Sequence, residues 1–459
     1  MINYFNFKQI KEKFLITNDF GKFSLLSKSD FNSLVTGKIN PDSEMYHELC
    51  EKLFIFDSSP TCFIEFAQNE MKNSKNYVFS ATSLQIFVVT NAGNMDCVYC
   101  QANNGLEKPK DFMSIDIAEK AVNLALSSPS ANMTFEFQGG EPLMNFPVIK
   151  HIVEYTEKNK KGKLINYTIV TNLTLLTDEM IQFFKEYNIS ISTSLDGNEI
   201  LHNLNRTYKD KKETFSDVIK SVDILRKHKI NIGAIQTTTR NSLPLYKEII
   251  NTYKELGFSS IFIRPLTPLG CAYRKWSNIG YTPDEFIQFY RKSLEYIIFL
   301  NKSGYFMSEG HASIFLSKII HNFPINYMEL RSPCGAAVGE MAYYPNGDVF
   351  TCDEGRMLYE MGDDSFKLGN VNENSYYDMI HSNTYCAVCK ASILESLPNC
   401  CDCVYQPYCG VCPVINLAIE HDVISKAPNN YRCKIYSGML DTIFELLQNE
   451  TVFNYLEKW

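Results

Sequence analysis

The stretch LQIFVVTNAGNMDCVYCQ, residues 84–101, decides the fold. Its first half is an apolar run of Ile, Phe, Val and Thr, suited to a strand buried on both faces. Its second half is a short loop with two cysteines, Cys97 and Cys100, flanking Tyr99. The same strand-then-loop rhythm recurs in MTFEFQGG (133–140), LINYTIVTN (164–172), NISISTSLDG (188–197), INIGAIQTTT (230–239) and SSIFIRPL (259–266). Between these runs lie IDIAEKAVNLALSS (115–128), TDEMIQFFKEY (177–187) and TFSDVIKSVDILRKHK (214–229), whose apolar residues recur at helical spacing. Ser114 and Thr177, each just ahead of an acidic first turn, are candidate N-caps. Six such units predict an α/β fold: a parallel sheet, curled into a partial (β/α)6 TIM-like barrel or left open. In either form chemistry gathers at the C-terminal ends of the strands.

Outward from this rhythm, residues 1–80 predict a small α+β module, with strands in KFLITND and GKFSLLS and helices in KSDFNSLVTG and DSEMYHELCEKL. Residues 81–325 hold the barrel, the last part of it helical over 282–321. Residues 326–459 form a cysteine-spaced, loop-rich region closed by the helix YSGMLDTIFELLQN. The chain has 459 residues, 45% hydrophobic and 21% charged, with net charge −8. That is ample for a large core. It leaves no basic footprint for nucleic acid or an anionic membrane. The start, MINYFNFKQIKEKFL, mixes Asn, Lys and Glu among its apolar residues, unlike a signal peptide, and no apolar run is long enough to span a membrane. A cytoplasmic setting is expected.

Fifteen cysteines are present, and ten of them fall between Cys334 and Cys433. Cytosolic thiols stay reduced, so the clustering predicts metal ligation rather than a disulfide framework. Cys400, Cys403, Cys409 and Cys412 give C-x2-C-x5-C-x2-C; Cys334 is followed by twelve residues, Gly347, four residues and Cys352; Cys433 closes the set. Spacing alone does not separate zinc from iron–sulfur. Cys386 and Cys389 form a further C-x-x-C, Cys401 lies between the others, and Cys50, Cys62 and Cys271 read as core residues.

At the other strand ends stand QGGEP, with Gly139, Gly140 and Glu141, and STSLDG, with Ser194 and Asp196, followed by Arg206 in HNLNR. Two glycines permit close approach to the backbone, and a neighbouring carboxylate accepts from an ammonium group. Taken singly, each of these equally describes a turn.

Taken in order, the motifs resemble the radical S-adenosylmethionine (radical SAM) enzymes. There a C-x3-C-x2-C loop after the first strand holds a [4Fe–4S] cluster and a GGEP-type motif binds the methionine amino group. The resemblance implies cluster ligation by Cys97 and Cys100, and S-adenosylmethionine binding by Tyr99, Gly139, Gly140, Glu141, Ser194, Asp196 and Arg206. It departs at one place: the position of the first cysteine holds Gly93, which has no side chain to ligate iron. The C-terminal cysteines resemble the SPASM extension of peptide-modifying radical enzymes, with the last internal gap one residue shorter. The resemblance implies two auxiliary [4Fe–4S] clusters, one on Cys400, Cys403, Cys409 and Cys433, the other held in part by Cys334, Cys352 and Cys412, its remaining iron left to an unidentified ligand or open. Asp353 matches the position of a proposed acid/base in sulfatase-maturing relatives. Over the whole chain, YFNFKQI, SPCGA…GDVFTCDEGRM and CVYQPYCGVCP are similar to His-Xaa-Ser-system radical SAM maturases, and the N-terminal module is similar to their peptide-leader-recognition domains. The implied function is modification of a ribosomally made precursor peptide through a 5′-deoxyadenosyl radical, with a ferredoxin or flavodoxin as electron donor. A peptide-binding relative silenced at Gly93, a sulfatase-maturing enzyme and a zinc-dependent binding module are the alternatives.

Overall fold

The computed structural model describes residues 1–56, 60–102 and 110–459. The chain begins with a three-stranded antiparallel sheet, β1 (Asn6–Ile10), β2 (Lys13–Thr17) and β3 (Phe23–Leu26), followed by helices Lys28–Val35 and Glu44–Glu51. Its apolar face closes over Ile16, Leu26, Phe31, Leu34, Leu49 and Phe54. The sheet also rests on the C-terminal region. Thr17 Oγ1 donates to Val404 O at 2.7 Å, Asn6 Nδ2 to Cys403 O at 3.3 Å, and Lys8 pairs with Asp441 at 2.8 Å.

The six predicted barrel strands are present: β4 (Leu84–Thr90), β5 (Asn132–Gly139), β6 (Leu164–Val170), β7 (Ser190–Ser194), β8 (Ile232–Thr237) and β9 (Ser260–Arg264). All pair in parallel, each with the next in sequence, which places a crossover between every neighbouring pair. Helices Ile115–Leu126, Phe146–Asn159, Asp178–Glu186, Phe215–Lys227 and Tyr246–Glu255 lie on these crossovers. Ser114 and Thr177 cap two of them, accepting from the backbone N–H of Ile117 and Met180. One core joins sheet and helices, with Phe87, Phe135, Phe137 and Ile169 from the strands against Val122, Ile149, Ile152 and Phe184.

The sheet continues past the predicted units at both ends. A two-residue strand, β10 (Ser308–Glu309), pairs with β9. On the other edge β11 (Glu340–Tyr343) lies parallel to β4, with Glu340 opposite Leu84, and β12 (Asp348–Phe350) and β13 (Lys367–Asn370) follow antiparallel. Among the described residues the edge strands β10 and β13 do not pair, so the barrel stays open. The cysteine-spaced region is therefore stitched into the barrel sheet rather than hung from it as loops alone. The Asn346-Gly347 turn makes the β11–β12 hairpin possible: Gly347 has φ +90°, and its N–H donates to Tyr344 O at 2.9 Å. Gly347, the glycine five residues before Cys352, is thus a turn residue.

Candidate active site and cluster sites

The loop after β4 is held from two sides. Gly140 N–H donates to Thr90 O at 2.9 Å and Glu141 N–H to Ala92 O at 2.8 Å. A Cβ on Gly139 would lie 2.3 Å from Thr90 O, and one on Gly140 equally close to Ala92 O. Both glycines are required by this backbone contact, a reason separate from the ligand approach expected of them. From the opposite side Asp96 N–H donates to Thr207 O at 2.8 Å and Val98 N–H to Asn205 O at 2.9 Å. Glu141 is buried. Its Oε1 accepts from Thr171 Oγ1 at 2.6 Å and Leu143 N–H at 3.1 Å, and Oε2 from Asn172 N–H at 2.8 Å. One of its roughly four lone-pair sites is left over. Burial pushes this carboxyl up, opposed by those three donors.

Three of the predicted cofactor residues form one buried network. Tyr99 Oη reaches both carboxylate oxygens of Asp196 at 2.8 Å, Asn205 Nδ2 donates to Asp196 Oδ2 at 2.9 Å, and Arg206 Nη1 donates to Tyr99 Oη at 2.8 Å. Burial raises Asp196, and the Arg206 charge opposes it. Arg206 itself is under-satisfied: Nε has no partner, and Nη2 reaches only the Met95 sulfur at 3.9 Å. A buried guanidinium with idle donors beside the strand ends suits an anionic group such as a carboxylate. Ser194, at the end of β7, has a hydroxyl without a hydrogen bond among the described residues.

Cys97 and Cys100 sit in the same loop, with Cys100 N–H donating to Cys97 O. Burial pushes both thiols up, Cys100 to about 12. A ligating metal would have to displace those protons. A Cβ on Gly93 would meet nothing nearer than Gly140 C at 3.4 Å, an ordinary contact, and Gly93 is not among the positive-φ residues. The backbone therefore accepts a side chain there, and the sequence supplies none. Cys271, read from the sequence as core, is buried as expected, and it also lies beside this pair. Its N–H donates to Cys100 O at 2.8 Å, and its thiol bears on both Cys97 and Cys100.

In the C-terminal region the cysteines separate into two sets. Cys400, Cys403 and Cys433 all bear on the half-buried Cys409. Cys334, Cys352 and Cys412 bear on one another. Cys352 and Cys412 stand at the N-caps of helices Asp353–Glu360 and Pro413–Glu420, and Cys433 lies in the first turn of Tyr431–Leu446, where the helix dipole favours a thiolate. Backbone N–H groups also aim at sulfur: Gly355 at Cys352 (3.2 Å) and Tyr405 at Cys403 (3.4 Å). Among the described residues no three of these sulfurs converge within 4.8 Å. Ligands of one tetrahedral zinc stand about 3.8 Å apart, given Zn–S bonds of about 2.3 Å. Neither set is therefore closed around a single zinc ion.

Asp353 opens its helix, with one oxygen bonded to the buried Arg356 and its charge bearing on Glu136 of β5. Cys386 and Cys389 lie on helix Asn383–Lys390, Cys386 exposed. Cys389 is influenced by Cys386, Arg331 and Tyr385, and by none of the seven cysteines in the two sets. Cys401 contributes its carbonyl to Asn6. Residues not foreseen from sequence are Thr171, Asn172 and Asn205, all at strand or helix ends where the rule for α/β sheets would have sent a search.

Residues 87–256 match the model of the radical SAM superfamily. An uncharacterised protein of Methanocaldococcus jannaschii is 35% identical over 183 residues, 40% of this chain; the match spans 62% of that protein's own length. The cysteine-type anaerobic sulfatase-maturating enzyme of Clostridium novyi is 27% identical over 69% of this chain and 83% of its own. Among solved structures, native anSMEcpe with bound AdoMet and Cp18Cys peptide superposes with a TM-score of 0.68 at 21% identity, covering 82% of this chain and 99% of that one, a likeness of fold. Residues 87–256 are thus similar to the radical SAM superfamily, and the chain is similar to an anaerobic sulfatase-maturating enzyme over 69% of its length.

Proposed function

We propose that this chain is a radical SAM maturase of a ribosomally made peptide, of the His-Xaa-Ser type, acting in the cytoplasm with a ferredoxin or flavodoxin as reductant. The observation that carries the reading is the buried Tyr99–Asp196–Arg206 network, whose guanidinium keeps an unbonded Nε at the strand ends beside Cys97 and Cys100. When bound, the cluster and S-adenosylmethionine together supply a 5′-deoxyadenosyl radical. The chain's own residues bind and orient. Arg206 holds the methionine carboxylate, the free lone pair of Glu141 takes the amino group beside Gly139 and Gly140, and Ser194 and Asp196 hold the ribose, with Tyr99 fixing Asp196. Asp353, with one oxygen on Arg356, exchanges a proton with the substrate. The two C-terminal thiol sets hold auxiliary [4Fe–4S] clusters. The N-terminal sheet receives the peptide leader as an added strand on an unpaired edge.

Gly93 leaves the barrel loop one thiolate short of the superfamily's three, and this favours a second reading, a peptide-binding relative that keeps its auxiliary clusters but has no radical step. Sulfatase maturation is the third, supported by the Clostridium novyi relative. The test is anaerobic reconstitution with iron and sulfide counted per chain, S-adenosylmethionine affinity by calorimetry, and 5′-deoxyadenosine assayed with a His-Xaa-Ser peptide and with a sulfatase peptide. About twelve iron atoms, with 5′-deoxyadenosine released only with the first peptide, supports the maturase. About eight without cleavage selects the silent relative. No S-adenosylmethionine binding overturns the maturase, and iron absent from the reconstituted chain overturns both.

A further inference from the structure

The set Cys334, Cys352 and Cys412 offers three thiols where a four-iron cube asks for four ligands. Cys334 and Glu340 stand at the two ends of one tight turn, closed by Gly339 N–H and Glu340 N–H on Gly335 O at 2.7 and 3.2 Å. Glu340 then enters β11, whose pairing with β4 fixes its position. Its carboxylate lies within 4.8 Å of the Cys352 sulfur and of Glu354, the one such convergence of ligand atoms among the described residues. The charges of Glu340 and Cys412 both bear on Cys334 as well.

Glu340 is 7% exposed, and its carboxylate has no hydrogen bond or ion pair among the described residues. The carboxylates of Glu354, Asp353, Glu329 and Glu136 all press on it. Each of those has a partner. Glu354 is hydrogen-bonded to Glu329, Glu329 is paired with Arg264 and Arg432, Asp353 with Arg356, and Glu136 accepts from Gln138 and Thr168. The guanidinium that bears on Glu340, Arg331, is bonded to Asn326 and Pro333 O and stacked over Tyr77; its Nη2 has no partner and does not bond the Glu340 carboxylate. A buried carboxylate among like charges, with no donor or ion pair of its own, favours a cation at its oxygens. Iron is such a cation, and carboxylate oxygen is one of its ordinary ligands.

We propose that Glu340 is the fourth ligand of the auxiliary cluster held by Cys334, Cys352 and Cys412, closing that cluster with an oxygen donor. This rests on the cluster assignment above, and it makes the site a four-coordinate electron carrier with no iron open to substrate. The full chain is reconstituted with 57Fe, in a Cys97→Ala/Cys100→Ala background that keeps barrel iron out of the spectra. Mössbauer spectra, iron counts and the reduction potential are compared for Glu340, Glu340→Cys, Glu340→Gln and Glu340→Ala. Oxygen ligation predicts one distinct iron in the parent, a uniform cluster of unchanged iron count in Glu340→Cys with a shifted potential, and loss of about one iron in four from that cluster on mild oxidation in Glu340→Gln and Glu340→Ala. Spectra and potential identical in all four proteins overturn the proposal. Cys352→Ala separates the two levels of failure: if it leaves the iron count unchanged, the cluster assignment itself is wrong. A single iron bound by Glu340, Cys352 and Glu354 and retained in Cys334→Ala likewise overturns it.

Discussion

The barrel site and the C-terminal cysteine region are built on opposite principles. Around the strand ends, most of the polar groups bond one another, Tyr99 and Asn205 with Asp196 and Glu141 with Thr171 and Asn172, while Arg206 Nε and His202 Nε2 stay unpartnered. That pocket is set by its own hydrogen bonds, and the sheet beneath it supplies a continuous apolar core. The C-terminal region brings seven buried or half-buried thiols together on loops and helix starts, all of them free, with no disulfide to hold them. If these thiols hold the proposed clusters, the order of this region depends on metal in a way the barrel's does not, since a structural metal contributes folding free energy directly. The comparison teaches where each kind of loss will be felt: removing iron strikes one region and removing a side chain strikes the other.

The sharpest way to break that contrast is to strip iron with a chelator under anaerobic conditions and follow amide hydrogen exchange. Amides of residues 399–433 are expected to exchange faster by about 10³-fold or more, about 4 kcal/mol of lost protection, while those of β4 to β7 keep theirs. Equal loss in both regions would mean that the barrel also depends on iron.

Next in size is Gly93→Cys. The backbone accepts a Cβ there without a clash, so the substitution adds a thiol and little else. Reductive cleavage of S-adenosylmethionine is expected to rise by about 100-fold or more, equivalent to about 2.7 kcal/mol in barrier. A parent as active as the variant would instead point to Cys271 as the thiol already serving in place of residue 93, and Cys271→Ser would then abolish cleavage.

Smaller again is Arg206→Met, which removes the idle donors and the charge while keeping much of the buried stem. S-adenosylmethionine binding measured by calorimetry is expected to weaken by roughly 10- to 100-fold, the worth of one or two charge-assisted hydrogen bonds. Unchanged affinity would take the carboxylate role from Arg206.

How much of this was legible differs between the regions for a physical reason. The six barrel strands and their capped helices follow from local periodicity, so they stood in the sequence to within about two residues at most ends. The two thiol sets were implied by the resemblance to the SPASM extension. The β11–β13 extension does not, because its first partner is β4, some 250 residues away; its one local sign is Asn346-Gly347, overshadowed by the cysteines around it. Glu340 and Cys271 were invisible for the same reason. A glutamate at the start of a short buried strand and a cysteine after Gly270 acquire meaning only when the chain brings them beside Cys352 and Cys100.

The smallest expected effect belongs to His202, inside the barrel's polar network. It is fully buried, its Nδ1 accepts from Asp196 N–H at 3.5 Å, and its Nε2 has no partner. The ring of Phe215 packs 5.7 Å away, and burial together with the Arg206 charge lowers the imidazole from its ordinary 6.5 to about 3. The folded protein therefore keeps His202 neutral over this window, while the unfolded chain takes up a proton below pH 6.5. Stability from this group is complete above pH 6.5 and is lost as pH falls toward 3, at up to about 1.4 kcal/mol per pH unit. Asp196, raised by burial, contributes the opposite slope in its own window, so the test is a difference. His202→Asn keeps an acceptor near the place of Nδ1 and removes the titration. Between pH 6.5 and 5.0, urea unfolding of the parent should lose about 2 kcal/mol more than that of the variant. Parallel pH profiles would mean that the imidazole already carries its proton beside Arg206, and that the barrel network is less self-sufficient than its hydrogen bonds indicate.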